Sequence, residues 1–240
     1  MTELFNASRG SAGSRTLQGQ MRDHGYPIGR FKVRRLMAEA NLVSRQPGGH
    51  RYKRTGQARV DIPNKLDRQF AVSEANQVWC GDISYVWAGD RWHYLAVVMD
   101  LHTRRVVGSA VAVKPNADLV VTALENALTE RGYPGGLMFH SDQGSQYASR
   151  KFRRLLWRHR IEQSMSRRGN CWDNAPMERL LRSLKSEWLP PLGYRSLEAA
   201  QNDINDYFMR YYNWHRPYAV NDRVPPARAE KQLNLLSNLG

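Results

Sequence analysis

Residues 76–113, NQVWCGDISYVWAGDRWHYLAVVMDLHTRRVVGSAVAV, decide the fold. The stretch is rich in β-branched and aromatic side chains and alternates in its first run, as a strand with one covered face does. Ala88-Gly89-Asp90 suits a hairpin turn, GDRWHYLAVVMDLHT reads as a second strand and RRVVGSAVAV as a third. Outward from there, residues 116–132 (NADLVVTALENALTERG) change to a helical period, with Asn116 as N-cap and Gly132 as stop signal. GLMFHSD (136–142) is a short buried strand, RKFRRLLWRHR (150–160) a basic helix and IEQSMS (161–166) a strand. Helices over 174–189 and 196–217 follow. Three strands, then helix, strand, helix, strand and helix, is a mixed α/β order.

The N-terminal residues have another character. GRFKVRRLMAEANLV (29–43) places Phe31, Val33, Leu36, Met37, Ala40 and Val43 near helical spacing, and a shorter helical piece at 14–24 precedes it across HGYPIG. Helix, short Gly-containing turn and basic helix form a helix-turn-helix pattern, with Arg34 and Arg35 as candidate DNA contacts. The following SRQPGGHRYKRTGQAR reads as a linker whose Arg51, Lys53 and Arg54 can track a phosphate backbone, although a charge run is by default a solvated segment. Composition thus divides the chain into 1–56, a helix-turn-helix-like region with basic linker, 57–75, further linker, and 76–240, the α/β core with C-terminal helices.

At 240 residues and 41% hydrophobic, the chain can bury one good core and carry a small appendage. Its 36 Lys and Arg face 22 Asp and Glu, a net charge of +14 that favours a polyanionic partner through counterion release. Nucleic acid leads. A membrane is disfavoured because no run of 18 apolar residues exists. The first residues contain no signal-peptide apolar run, and Cys80 and Cys171 lie too far apart for a CxxC pair, so a soluble, cytoplasmic, reduced protein is expected.

On this basic background three acids stand in unusual contexts: Asp82 in WCGDISY, Asp142 in HSDQGSQY and Glu178 in GNCWDNAPMERLLRSLK. A charged Asp82 on a hydrophobic strand is costly without a partner. Asp142 follows a strand end, where α/β folds place active groups. Glu178 begins a helix on which Asn174, Arg182 and Lys185 share its side, while Leu180, Leu181 and Leu184 supply apolar cover. Magnesium takes hard oxygen ligands, usually a few carboxylates, with phosphate and water filling the rest. Each acid also has an ordinary reading, Asp142 as a cap and Glu178 as the partner of Arg182. Asp100 and Asp173 are competing carboxylates.

WxxDISY, HSDxGxQY, SMSxxGNCxDNAxxE with a Lys seven residues on, and YNxxRP, in this order, resemble the catalytic core of a bacterial insertion-sequence transposase. More narrowly, they resemble the OrfB product of the family whose two overlapping frames are joined by frameshifting, a relative of retroviral integrases. The resemblance covers residues 76 to 230, with a weaker match in the N-terminal helices, and the 35 residues between Asp142 and Glu178 fit that family's DDE motif. It implies a ribonuclease-H-like integrase core, a mixed five-stranded sheet flanked by helices, behind a small helix-turn-helix region. It assigns Asp82, Asp142 and Glu178 as metal-binding acids and Lys185 as a cation on the element's end. Arg182, Asn174, His140 and Gln146 join Lys185 as candidates for positioning or contacting DNA. Arg179-Leu180-Leu181 departs from the family's usual Ser-Phe-Phe, and Arg216-Pro217-Tyr218 from its RPH.

The resemblance implies two Mg²⁺ ions, with Mn²⁺ as a substitute, that support strand hydrolysis at the element's end and attack of the freed 3′-hydroxyl on target DNA. Its implied partners are double-stranded terminal inverted repeats and target DNA, further copies of the chain, and a DNA-binding protein encoded by an upstream frame, fused or associated. The alternatives are a structure-specific nuclease that cuts without joining and a DNA-binding regulator with a decayed core. All three acids are present, which argues against decay.

Overall fold

A computed structural model describes residues 1–45 and 61–237. Contacts group the chain into two compact units, one of Met1–His50, Leu181–Pro190 and Asp206–Gly240, the other of Arg51–Leu180 and Pro191–Asn205. Composition divides the chain along its length, whereas contacts group its two ends.

The second unit holds the sheet. β1 (Val78–Ala88), β2 (Arg91–Asp100) and β3 (Val106–Ala112) pair antiparallel. β4 (Met138–Ser141) and β5 (Glu162–Met165) add parallel to the other side, giving the order β3-β2-β1-β4-β5. The register Ala88↔Arg91 leaves a two-residue turn in which Gly89 takes φ 61°, a left-handed conformation suited to glycine. One sheet face is covered by α4 (Ala117–Glu130) and α5 (Arg150–Arg158), and Trp79, Val98, Phe139, Leu124 and Phe152 are buried in that core. Each helix starts on its own cap: Asn116 accepts from Leu119 N at 3.2 Å and Ser149 from Phe152 N at 3.2 Å. A Cβ on Gly108 would come within 2.5 Å of Ala123 O and 2.7 Å of Ala127 Cβ, so only glycine lets α4 lie this close to β3.

After β5 a 3-10 turn, Cys171–Asn174, leads into α6 (Ala175–Glu187). α7 (Leu197–Asp206) follows the segment whose Tyr194 bonds back to the β1–β2 hairpin.

The first unit contains α1 (Thr2–Ala7), α2 (Ser14–Asp23) and α3 (Arg30–Glu39). Phe5, Leu17, Val33 and Met37 form its small core. The second expected helix, 29–43, ends early. Asn41 turns left-handed at φ 52° and Leu42 N bonds to Met37 O at 2.8 Å, a closing motif that stops the helix and leaves Val43 exposed. Phe31 is 85% exposed, so this position at core spacing is outside the core. The helix expected over 196–217 changes at Tyr207 to a wider π winding through Tyr212, which buries Tyr207, Phe208, Tyr211 and Tyr212. Trp188 stacks on Tyr211, and Arg216 of YNxxRP forks onto Glu187 at 2.6 and 2.7 Å, so the aromatic-rich segment is a packing face. α8 (Pro226–Ser237) closes the described chain.

Candidate active site

β1 and β4 run parallel with Gly81 opposite Ser141, and the next residue on each chain is an acid. Asp82, within β1, and Asp142, just past the end of β4, therefore come from neighbouring strands whose backbones run roughly 4.8 Å apart. Gly81 has no room for a side chain, since a Cβ there would meet the Phe139 ring at 2.5 Å and Tyr147 Oη at 3.3 Å. Burial raises the Tyr147 hydroxyl well above its ordinary value, and the negative charges of Asp82 and then Asp142 push it further. Both carboxylates thus act on the same phenol.

Asp82 Oδ1 accepts from Ile83 N at 2.7 Å, and Asp142 Oδ1 from Gly144 N at 3.0 Å. Burial raises the Asp142 carboxyl above 3.8, opposed only by that backbone donor. Among the described residues no basic side chain pairs with Asp142.

Glu178 stands in the first turn of α6. Asn174, four residues earlier, donates Nδ2 to Gly81 O at 3.3 Å and so ties the head of the helix to β1 beside Asp82. Among the described residues, Asn174 Oδ1 is buried without a hydrogen-bond partner. The structure thus joins Asp82 to Asp142 and brings the base of Glu178's helix to the same strand. Among the described residues no three His, Cys, Asp or Glu side chains gather closely enough to hold an ion.

The two competing acids have other tasks. Asp100 is wholly buried and accepts from Asn76 N at 2.7 Å, His102 N at 2.9 Å, Trp79 Nε1 at 3.3 Å and Arg131 Nη2 at 3.3 Å. Asp173, also wholly buried, is gripped by Arg68 Nε at 2.7 Å and by the Arg167 guanidinium at 3.0 and 3.1 Å. The Arg167 bonds hold its carboxyl far below the usual range against the opposing effect of burial. Both acids are neutralised by the protein's own groups.

Two expected DNA contacts need correction. His140 is 0% exposed, with Nδ1 on Ser164 Oγ at 2.8 Å and Nε2 on Asp173 O at 3.0 Å, and burial lowers its pKa to about 4. Asn174 is 4% exposed. Neither reaches solvent, because β4 and the 3-10 turn are interior, and both act within the fold. Gln146 is half-buried and donates to Pro115 O at 2.7 Å. Arg182 and Lys185 are exposed on α6, as are Arg34 and Arg35 on α3, where Arg35 pairs with Glu39 at 3.3 Å. Arg51, Lys53 and Arg54 lie outside the described residues. Tyr147, Arg68 and Arg167 were not singled out from sequence. Tyr147 ends the HSDxGxQY motif and Arg167 sits inside SMSxxGNC, but Arg68 carries no local signal.

Residues 72–171 and 159–226 match integrase core domain families, and residues 1–50 match an HTH-like domain. With the five-stranded sheet, these define an integrase-core polynucleotidyl transferase. The putative transposase InsO for insertion sequence element IS911B of Escherichia coli (strain K12) is 52% identical over 58% of this chain and 70% of its own length. The insertion element IS600 uncharacterized 31 kDa protein of Shigella sonnei is 34% identical over 92% of this chain and 81% of its own. Transposase InsF for insertion sequence IS3A of Escherichia coli (strain K12) is 33% identical over 88% and 74%. The HTLV-2 integrase catalytic core domain, solved in complex with magnesium, superposes with TM-score 0.47 at 18% identity over 63% of this chain and 95% of its own. The chain belongs to the insertion-sequence transposases, DDE transposases of the OrfB type that act in DNA transposition.

Proposed function

We propose that Asp82, Asp142 and Glu178 are the acids that hold divalent metal while the enzyme cuts DNA at the ends of an insertion sequence and joins the freed 3′-hydroxyl to target DNA. The observation that carries this reading is the register Gly81↔Ser141, which sets Asp82 beside Asp142 at a place where Asp142's charge has no basic partner among the described residues. Two neighbouring carboxylates with hard oxygens, of which Asp142 is half-buried and desolvated, fit Mg²⁺, with Mn²⁺ as substitute. Two ions held there would activate the attacking water or hydroxyl and offset charge on the entering and leaving oxygens.

The chain's own residues do the placing. The sheet fixes Asp82 and the strand end from which Asp142 leaves, because β4 cannot shift against β1 without breaking ladder bonds. Asn174 holds the head of α6 against Gly81, which directs Glu178 toward the pair. Lys185 and Arg182, exposed farther along α6, meet the element's terminal repeat, and Gln146 braces the loop after Asp142. Arg34, Arg35, Arg51, Lys53 and Arg54 bind flanking double-stranded DNA, mostly through phosphate. The active species is a homo-oligomer on terminal repeats and target, fused to or associated with an upstream-frame DNA-binding protein, and it works on DNA in the cytoplasm.

The test is cleavage and strand transfer on a radiolabelled duplex carrying an element end. Wild type with Mg²⁺ yields a nicked strand and then a joined product. Asp142→Asn yields neither while still shifting the duplex in a gel. Cleavage without any joined product under all conditions would make the enzyme a nuclease, and wild-type cleavage by Asp142→Asn would remove Asp142 from the site.

A further inference from the structure

Four separate segments meet at the 3-10 turn that precedes α6. The chain before β1 contributes Asn64 and Arg68, β1 contributes Gly81, β4 contributes His140 and the residues after β5 contribute Arg167. The centre is Asp173. Its Oδ1 accepts from Arg68 Nε at 2.7 Å and Arg167 Nη2 at 3.1 Å, and its Oδ2 from Arg167 N at 2.9 Å, Arg167 Nε at 3.0 Å and Asn64 Nδ2 at 3.0 Å. The backbone carbonyl of the same residue faces His140.

The proton on His140 can be placed. Ser164 Oγ accepts from Lys65 N at 2.9 Å and Leu66 N at 3.2 Å, so its own hydrogen points to His140 Nδ1 at 2.8 Å. Nδ1 is then an acceptor, and the ring hydrogen lies on Nε2, donated to Asp173 O at 3.0 Å. Asp173 is therefore held at its carboxylate by two guanidiniums and at its carbonyl by an imidazole, while Asn174 is bonded to β1.

A buried charge gripped from several directions favours a single geometry, since any shift of the turn breaks several charge-assisted bonds at once. The turn fixes the start of α6, and Glu178 lies within the first turn of that helix. From these observations we infer that Asp173, with Arg68, Arg167, Asn64 and His140, is a positioning cluster that sets where Glu178 stands relative to Asp82 and Asp142. The inference rests on Glu178 being a metal ligand. Asp173 itself ligates nothing, because both of its oxygens are already occupied.

The test uses the full chain and three readouts: magnesium affinity by calorimetry without DNA, the magnesium concentration giving half-maximal cleavage, and end-DNA affinity in EDTA. Arg68 is partly exposed, so Arg68→Ala keeps the fold, which circular dichroism verifies. Arg68→Ala and Asp173→Asn should each weaken magnesium affinity and raise the half-maximal concentration about tenfold, with DNA affinity held within about twofold. Arg68→Lys should restore most of the loss. In a Glu178→Gln background, Arg68→Ala should cause no further loss of magnesium affinity, because its effect passes through that side chain. Unchanged magnesium dependence in both variants would overturn the inference. So would a drop in DNA affinity as large as the drop in cleavage, which would make the guanidiniums DNA contacts, or an additive loss in the Glu178→Gln background. If Glu178→Gln alone keeps wild-type magnesium affinity, the assignment of Glu178 fails and this inference with it; if Glu178→Gln loses affinity and Arg68→Ala does not, only the inference fails.

Discussion

The end of β4 carries a half-buried aspartate and the turn before α6 a fully buried one, and the protein treats the two in opposite ways. Asp173 receives two arginines, an asparagine and a backbone N–H, and its carboxyl is held far below the ordinary range. Asp142 receives one backbone N–H, and burial raises its carboxyl. A carboxylate that the fold neutralises is a building element. One that the fold desolvates and, among the described residues, leaves without a countercharge suits the cation proposed above.

The widest separation between the two should appear on isosteric replacement. Asp142→Asn is expected to lower cleavage about a thousandfold or more, as loss of a metal ligand would, yet leave urea stability within about 1 kcal/mol of wild type, on the stable side. A loss of stability there would erase the contrast.

Asp173→Asn should do the reverse in a melt. It removes the partner of two guanidiniums, and because both are about half exposed and can relax into water, the cost is about 2 kcal/mol rather than the larger figure for fully buried pairs. A urea midpoint equal to wild type would show that the grip contributes nothing.

Acid titration separates them by sign. Asp142, with a folded pKa above 3.8, penalises the folded state at neutral pH, and this penalty fades as pH falls through its folded pKa and is gone below 3.8. Asp173, with a folded pKa below 3.8, contributes stability that is complete above 3.8 and is lost as pH falls toward its folded value. Midpoints measured from pH 7 to pH 3 should therefore show the advantage of Asp142→Asn vanishing on acidification while the deficit of Asp173→Asn persists to the ordinary carboxylate range.

The smallest effect should come from Gly144→Ala. The added methyl would lie 3.0 Å from Asp142 Oδ1 and 3.1 Å from Gln146 Oε1, and a few tenths of an ångström of adjustment should cut cleavage about threefold with little change in stability. Full activity would mean that the loop has slack.

Much of this was legible in the chain. The alternation in residues 78–88, the turn at Gly89 and the cap at Asn116 are local signals, and they produced strands and a helix where the structure has them. α1 is only six residues, too short to display a period, and the π winding at Tyr207–Tyr212 follows from aromatic packing that spacing does not reveal. At the site, the motifs singled out Asp82, Asp142 and Glu178, whereas residue type and position alone left Asp100 and Asp173 as competitors with no sign of their structural tasks. That distinction lies in Arg131 and Arg68, which are 31 and 105 residues away from the acids they serve. His140 was misplaced as a DNA contact for the same reason, because its burial depends on β5 and the turn, which reach it only in the finished fold.

The mixed sheet also sets an order of assembly. β1, β2 and β3 pair with their neighbours in sequence, so that antiparallel half can close through short loops. β4 and β5 must wait for crossovers through α4 and α5, and α6 comes later still. A chain that has folded only its first hairpin therefore displays Asp82 without Asp142, which enters the sheet with β4. Copies ending before residue 175 lack the helix that carries Glu178, and with it the third of the proposed acids.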